Sequence, residues 1–213
     1  MNRKIWKALG IAVCMLALAA PRAMAETHSH MVSNDGVFKI VIETINNSRD
    51  DNENEIILMN GFTLEGDTTE YTLRRGTTTI KGEGNTITVN PGAGITVAGE
   101  KTVLNLGAKG YDKKLTIDGK TSGGSASGNA KNAFVSVLEG ATANMYENVT
   151  LQNRKFMGNA CIVIMGSKSV FNMRGGVIKK CSRAVIADSG ATVRMLGGKI
   201  TGSQTGIYLN SSP

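Results

Sequence analysis

Short runs in which apolar and polar residues alternate fill the chain from Glu55 onward, and few of them exceed five positions. Ile56 to Met59, Thr63-Leu64, Tyr71 to Leu73, Thr77 to Lys81, Thr86 to Val89, Ile95 to Val97, Thr102 to Leu106 and Leu115 to Ile117 read as strands. Apolar residues recur at every second place in them, and Gly-containing turns separate the runs. Strands this short cover a sandwich face poorly, but three per turn wind a triangular coil.

The C-terminal third sharpens that expectation. Ala143-Asn-Met-Tyr-Glu-Asn-Val-Thr-Leu151, Val170-Phe-Asn-Met-Arg-Gly-Gly-Val-Ile178 and Thr192-Val-Arg-Met-Leu-Gly-Gly-Lys-Ile200 repeat one phrase, with 28 and then 22 residues between their methionines. Each copy follows a second apolar run, at Phe134 to Val137, Cys161 to Ile164 and Ala184 to Ala187. A period in the twenties signals a solenoid, whose repeats bury their apolar faces against their neighbours. Met145, Met173 and Met195 are therefore expected to stack inside. Leu151 lies six residues after its methionine, whereas Ile178 and Ile200 lie five after theirs, so the first copy needs one extra residue near Glu147-Asn148 to keep its face inward. A fourth copy begins at Gly206-Ile-Tyr-Leu209 and stops at Ser-Ser-Pro213 with no capping helix. The last rung thus reads as incomplete, which predicts a longer solenoid or a partner pairing along that free edge.

Before Glu55 the pattern changes. Val37, Phe38, Val41, Ile42 and Ile45 recur at steps of three and four, which predicts a helix over about Val37 to Asn46, capped by Asn34 or Asp35. Its β-branched content leaves a strand as the alternative. A short amphipathic helix here would cap the first rung. The first 25 residues stand apart: a basic start at Arg3, Lys4 and Lys7, an apolar stretch from Ile11 to Ala20 too short to span a bilayer, and Ala23-Met-Ala25 as a small-x-small cleavage site. Residues 1–25 are expected to be a signal peptide cut between Ala25 and Glu26, residues 26–35 a disordered mature N-terminus, and residues 36–213 one coil domain. An exported protein is expected, in the extracellular space, at the cell surface or in the periplasm.

Charge changes this picture by its distribution. The formal +7 falls to +3 without the four bases of the leader, yet residues 26–70 carry ten acids against two bases and residues 71–213 eighteen bases against seven acids. A basic body favours anionic surfaces; scattered lysines that keep a solenoid soluble account for the same excess. Two mature cysteines, Cys161 and Cys181, sit at different places in their repeats, which favours two partly buried thiols over a bridge. Asp118-Gly-Lys-Thr-Ser-Gly-Gly-Ser-Ala-Ser-Gly-Asn129 has nothing to bury and is expected to bulge from a corner.

The phrases Thr78-Thr-Ile-Lys-Gly-Glu-Gly84 and Leu115-Thr-Ile-Asp-Gly119, with the Met-x-Gly-Gly-x-Ile copies, resemble the repeats of secreted bacterial surface proteins of the pectin-lyase-like superfamily. The resemblance covers residues 36–210. It implies an all-β fold, a right-handed single-stranded parallel β-helix with a short N-terminal capping helix. It does not decide activity, because that superfamily holds pectate lyases, polygalacturonases and non-catalytic proteins.

The residues weigh against catalysis. Hydrolysis on such a scaffold needs paired carboxylates facing one groove, and the body offers only Glu83, Glu100, Asp112, Asp118, Glu139, Glu147 and Asp188, none in an Asp-Asp or Asn-Thr-Asp phrase. A polysaccharide lyase, which needs a base and several acids around calcium, is the competing reading. His28-Ser-His30 with Glu26 supplies two imidazoles without a fixed third ligand, a poor metal site, so neither metal nor cofactor is expected. Arg154, Lys155, Lys179, Lys180 and Arg183 all follow the inward Leu151 or Ile178 by a few residues, and successive rungs should gather them at one corner. The plain alternative is a solvated turn. The sequence thus points to a non-catalytic binding or structural module for an anionic polysaccharide or another cell-surface component. No nucleic acid partner is expected.

Overall fold

The computed structural model describes residues 26–48, 52–120, 133–155 and 159–210. The proposed signal peptide and most of the Gly/Ser segment lie outside the described residues. A strand β1 (Thr27–Val32) precedes helix α1 (Asp35–Asn47). Six turns of three strands follow. The first two turns are β2 (Glu53–Leu58), β3 (Phe62–Leu64), β4 (Thr72–Leu73), then β5 (Thr77–Lys81), β6 (Thr86–Val89), β7 (Ile95–Ala98). The middle two are β8 (Val103–Leu106), β9 (Leu115–Asp118), β10 (Val135–Leu138), then β11 (Thr142–Met145), β12 (Val149–Gln152), β13 (Ala160–Met165). The last two are β14 (Val170–Met173), β15 (Val177–Lys179), β16 (Arg183–Asp188), then β17 (Thr192–Met195), β18 (Lys199–Thr201), β19 (Thr205–Asn210).

Every third strand joins the same parallel sheet. The first sheet runs β1-β2-β5-β8-β11-β14-β17, the second β3-β6-β9-β12-β15-β18 and the third β4-β7-β10-β13-β16-β19. Matched register turns the sequence repeat into columns of side chains. One inner column is Ile56, Ile80, Leu106, Met145, Met173 and Met195; another is Ile87, Ile117, Leu151, Ile178 and Ile200. Met145 and Met173 are buried as expected. Met195 keeps the register but is 49% exposed, since β17 is the last strand of its sheet among the described residues. Strand β19 supplies the third side of the last described turn and pairs with β16.

The Gly-Gly of the repeat is a packing requirement. Gly176 and Gly198 adopt φ of 76° and 82°, a region that costs residues with a Cβ about 1–2 kcal/mol. A Cβ on Gly176 would also lie 2.6 Å from the carbonyl oxygen of Val149 and 2.7 Å from Met145 Cε. The first copy turns differently: it has one more residue between Met145 and the strand, and Asn148 takes the left-handed conformation there, with φ of 27°.

At the head, α1 starts at Asn34, whose Oδ1 accepts a hydrogen bond from the Val37 amide at 3.0 Å. Phe38, Val41, Ile42 and Ile45 are buried on the face turned to the coil. The helix also replaces a missing strand: Asn46 donates to the Thr72 carbonyl (2.7 Å) and accepts from the Arg74 amide (2.9 Å). These are main-chain groups that a further strand beside β4 would occupy. Tyr71 completes the joint, donating to Asp35 (2.7 Å) and accepting from Gly66 N (2.8 Å). Lys39 bridges Asp35 and Glu70 at 3.1 and 2.6 Å; this pairing raises the lysine pKa and holds the Glu70 carboxyl below its ordinary value.

Two expectations are corrected. Residues 27–32 form a strand: β1 pairs in register with β2 and sends Val32 into the core. Its other inward positions, His28 and His30, meet Asn52 and Asn54, so the alternation is mostly polar. Cys161 and Cys181 form a disulfide, with Cα atoms 6.6 Å apart. Their 20-residue separation is close to one turn of the coil, which carries the second cysteine back beside the first. Among the described residues, no helix is long and apolar enough to cross a membrane.

Candidate functional site

The corner between the second and third sheets holds a cavity of about 330 Å³ lined by Lys155, Lys180, Cys181, Ser182, Gly202 and Gln204. Its walls come from successive turns, and the main chain fixes them to one another. Lys180 N donates to Thr201 O (3.2 Å), Gln204 N to Cys181 O (3.1 Å) and Ser182 N to Arg154 O (2.6 Å). The disulfide ties Cys181 to β13, and the Cys181 amide also donates to Ser203 Oγ at 3.2 Å. Ser182 Oγ donates to Gln204 Oε1 (3.2 Å), which aligns two neutral hydrogen-bonding side chains along one wall. Lys155 and Lys180 are exposed, and among the described residues neither has a carboxylate partner.

The other three expected bases lie elsewhere. Arg154 points inward and is fully buried. Its guanidinium stands 5.2 Å from the Phe134 ring centroid and donates to the carbonyls of Val89 (3.5 Å), Asn90 (3.4 Å) and Ala93 (3.4 Å). Burial pushes its pKa down to about 10. It is a structural post and not part of a surface patch. Lys179 belongs to the outward row Asp118, Gln152, Lys179 and Thr201 on the second sheet, next to the cavity. Arg183 opens β16, with its guanidinium carbon 4.6 Å from the Tyr208 ring centroid.

Five of the seven acids of the body, Asp118, Glu100, Glu83, Glu139 and Asp188, have hydrogen-bond or ion-pair partners. Asp118 Oδ1 accepts from Lys120 N (2.8 Å) and Asn153 Nδ2 (3.1 Å), and its Oδ2 from Gln152 Nε2 (2.7 Å). Glu100 pairs with Lys168 at 2.7 Å, which lowers the carboxyl pKa and raises that of the lysine. Glu83 faces Lys113 and Glu139 faces Arg74, at 3.4 and 3.8 Å. Among the described residues, no three His, Cys, Asp or Glu side chains gather as a metal site would require. The arrangement suits an anion: two ammonium groups in an open cavity beside neutral donors and acceptors.

Ser182, Gln204 and Gly202 were not anticipated as lining residues. The signal was available, since Ser182 to Gln204 and Lys180 to Gly202 repeat the 22-residue step between Met173 and Met195. Comparisons with protein-family models, curated proteins and solved structures give no significant match.

Proposed function

We propose that this chain is an exported, non-catalytic β-solenoid that binds an anionic polysaccharide at the Lys155/Lys180 corner. The observation that supports the proposal is the convergence on one cavity of two lysines without a carboxylate partner among the described residues, beside the neutral side chains of Ser182 and Gln204. Lys179 extends the positive surface onto the second sheet. Export is supported by the leader-like first 25 residues and by a buried disulfide, a bond that persists in oxidising compartments. Kinship with the pectin-lyase-like superfamily is part of the proposal, supported by the parallel three-sheet coil and its repeat phrases.

The test is titration of the mature protein with polygalacturonate and with neutral dextran at several salt concentrations. Binding of the uronate alone, weakening as salt rises, is expected, and Lys155→Ala with Lys180→Ala should reduce affinity at least tenfold. Unchanged affinity in that double variant rejects the site. Incubating the wild-type protein with polygalacturonate and calcium separates the lyase reading, because ultraviolet-absorbing unsaturated ends accumulate only if the chain cuts its ligand.

A further inference from the structure

His28 and His30 are a poor metal site when side chains alone are counted, and the count changes once main-chain nitrogen is included. Cleavage between Ala25 and Glu26, the reading on which this inference rests, makes Glu26 the first residue of the mature chain and His28 the third. A free amino terminus with histidine in third place presents four nitrogens in succession: the α-amine, the amide nitrogens of the second and third residues, and the imidazole. Consecutive chelate rings hold these in one plane, and a square-planar nitrogen set selects Cu(II) or Ni(II). We propose that Glu26-Thr27-His28 is such a site, taking one divalent copper or nickel ion.

The structure places these residues where a metal can reach them. Glu26 and Thr27 are exposed, at the start of the outermost strand of the first sheet. Asn52 Nδ2 lies 3.1 Å from His28 Nε2, the ring nitrogen remote from the main chain, and because that nitrogen carries the ring proton in the chelate, the carboxamide must turn to present its oxygen when metal binds. Chelation uses the other, Nδ1, which is the nitrogen that closes a ring with the histidine's own amide. The main chain sets a condition on binding. Successive amides of a strand point to opposite edges, whereas a planar chelate needs the Thr27 and His28 nitrogens on one side of the metal. Thr27 and His28 must therefore leave their register with Glu53 and Asn54, while Val32, buried at the other end of β1, stays seated. The α-ammonium and the two amides each release one proton to solvent, the metal stays divalent, and no electron moves. Metal occupancy and fraying of the first two positions of β1 are thus one event.

The experiment uses full-length chain exported with its own leader, its N-terminus established by intact mass, and Cu(II) chloride as the probe. One equivalent is expected to give the visible band of a planar four-nitrogen copper centre, with faster amide exchange at Ser29 and no change near Val32. Affinity should be roughly five- to thirtyfold weaker than that of the free peptide Glu26–His30, the effect of giving up one or two ladder hydrogen bonds. His28→Ala and one additional Ala ahead of Glu26 should each abolish the band, and His30→Ala should leave it. The additional Ala keeps every side chain, so its effect isolates the α-amine. A processed chain that begins at another residue overturns the cleavage reading and the inference with it. A chain that begins at Glu26 but shows no band, or a band that survives the additional Ala, overturns the site alone.

Discussion

Removing the Cys161–Cys181 bridge should cost this coil a large part of its stability. The bond closes a loop of 20 residues, and the loop-entropy relation for a closure of that length gives about 3 kcal/mol at 25 °C. A domain of this size has about 5–15 kcal/mol in total, so the loss is between a fifth and more than half of it. About 3 kcal/mol corresponds to a fall in Tm of roughly 6–12 °C. The cysteines are 0% and 2% exposed, so Cys161→Ala with Cys181→Ala adds a small cavity term, whereas mild reduction of the wild type does not. Urea unfolding of oxidised protein, reduced protein and the double variant, followed by circular dichroism, separates the two. Because Cys181 also lines the corner cavity, reduction should weaken polygalacturonate binding before global unfolding begins. If reduction shifts stability by less than about 1 kcal/mol, the entropy argument fails. If two free thiols titrate in the native exported protein, the bridge itself is refuted.

Gly176→Ala places a Cβ 2.6 Å from Val149 O at a φ of 76°, and should destabilise by at least about 2 kcal/mol in urea titrations. Arg154→Met removes the donor to the Val89, Asn90 and Ala93 carbonyls and should cost about 2–3 kcal/mol, while the salt dependence of polygalacturonate binding stays as in the wild type; a flatter salt dependence would return Arg154 to the surface patch. The pH dependence follows from Glu70, whose carboxyl Lys39 holds below its ordinary 4.5. A depressed carboxyl contributes stability that is present above 4.5 and is lost as pH falls through the folded value. Glu70→Gln should therefore flatten the acid limb of a stability–pH profile below that point and leave the neutral region shallow, which thermal melts across the acid range check.

The coil was legible because its inner positions are nearly free of exceptions. Thr77 to Lys81 and Thr86 to Val89 match their strands at both ends, since alternation and flanking turn residues agree there. β1 was hidden because two of its three inward residues are histidines that meet asparagines, and a polar–polar alternation carries no hydrophobic signal. The disulfide was hidden for another reason. A spacing of 20 says nothing until the length of a turn is known, and then it says that the two cysteines almost overlie. Arg154 was misplaced because arginine is ordinarily solvated. Its inward course depends on the Val89–Ala93 carbonyls, 61 to 65 residues away in sequence.

What the outer positions do is decided by their neighbours one turn along, and one corner shows how. Asn153, Lys180 and Gly202 share the left-handed conformation, with φ of 65°, 55° and 62°. The amide of Asn153 donates to Lys179 O and that of Lys180 to Thr201 O, so the three stack as one column. Each could serve the coil or face solvent. Asn153 serves the coil, since its carboxamide donates to both oxygens of Asp118. Lys180 has Gly202 as its neighbour on the other side, which carries no side chain to pair with the ammonium. A Cβ built on Gly202 would come only within 3.9 Å of Lys180 Cγ and N. The space a side chain would take is part of the cavity. The same conformation and stacking thus yield a locked acid two turns back and an open lysine at the corner, and the difference is the residue that the next turn offers.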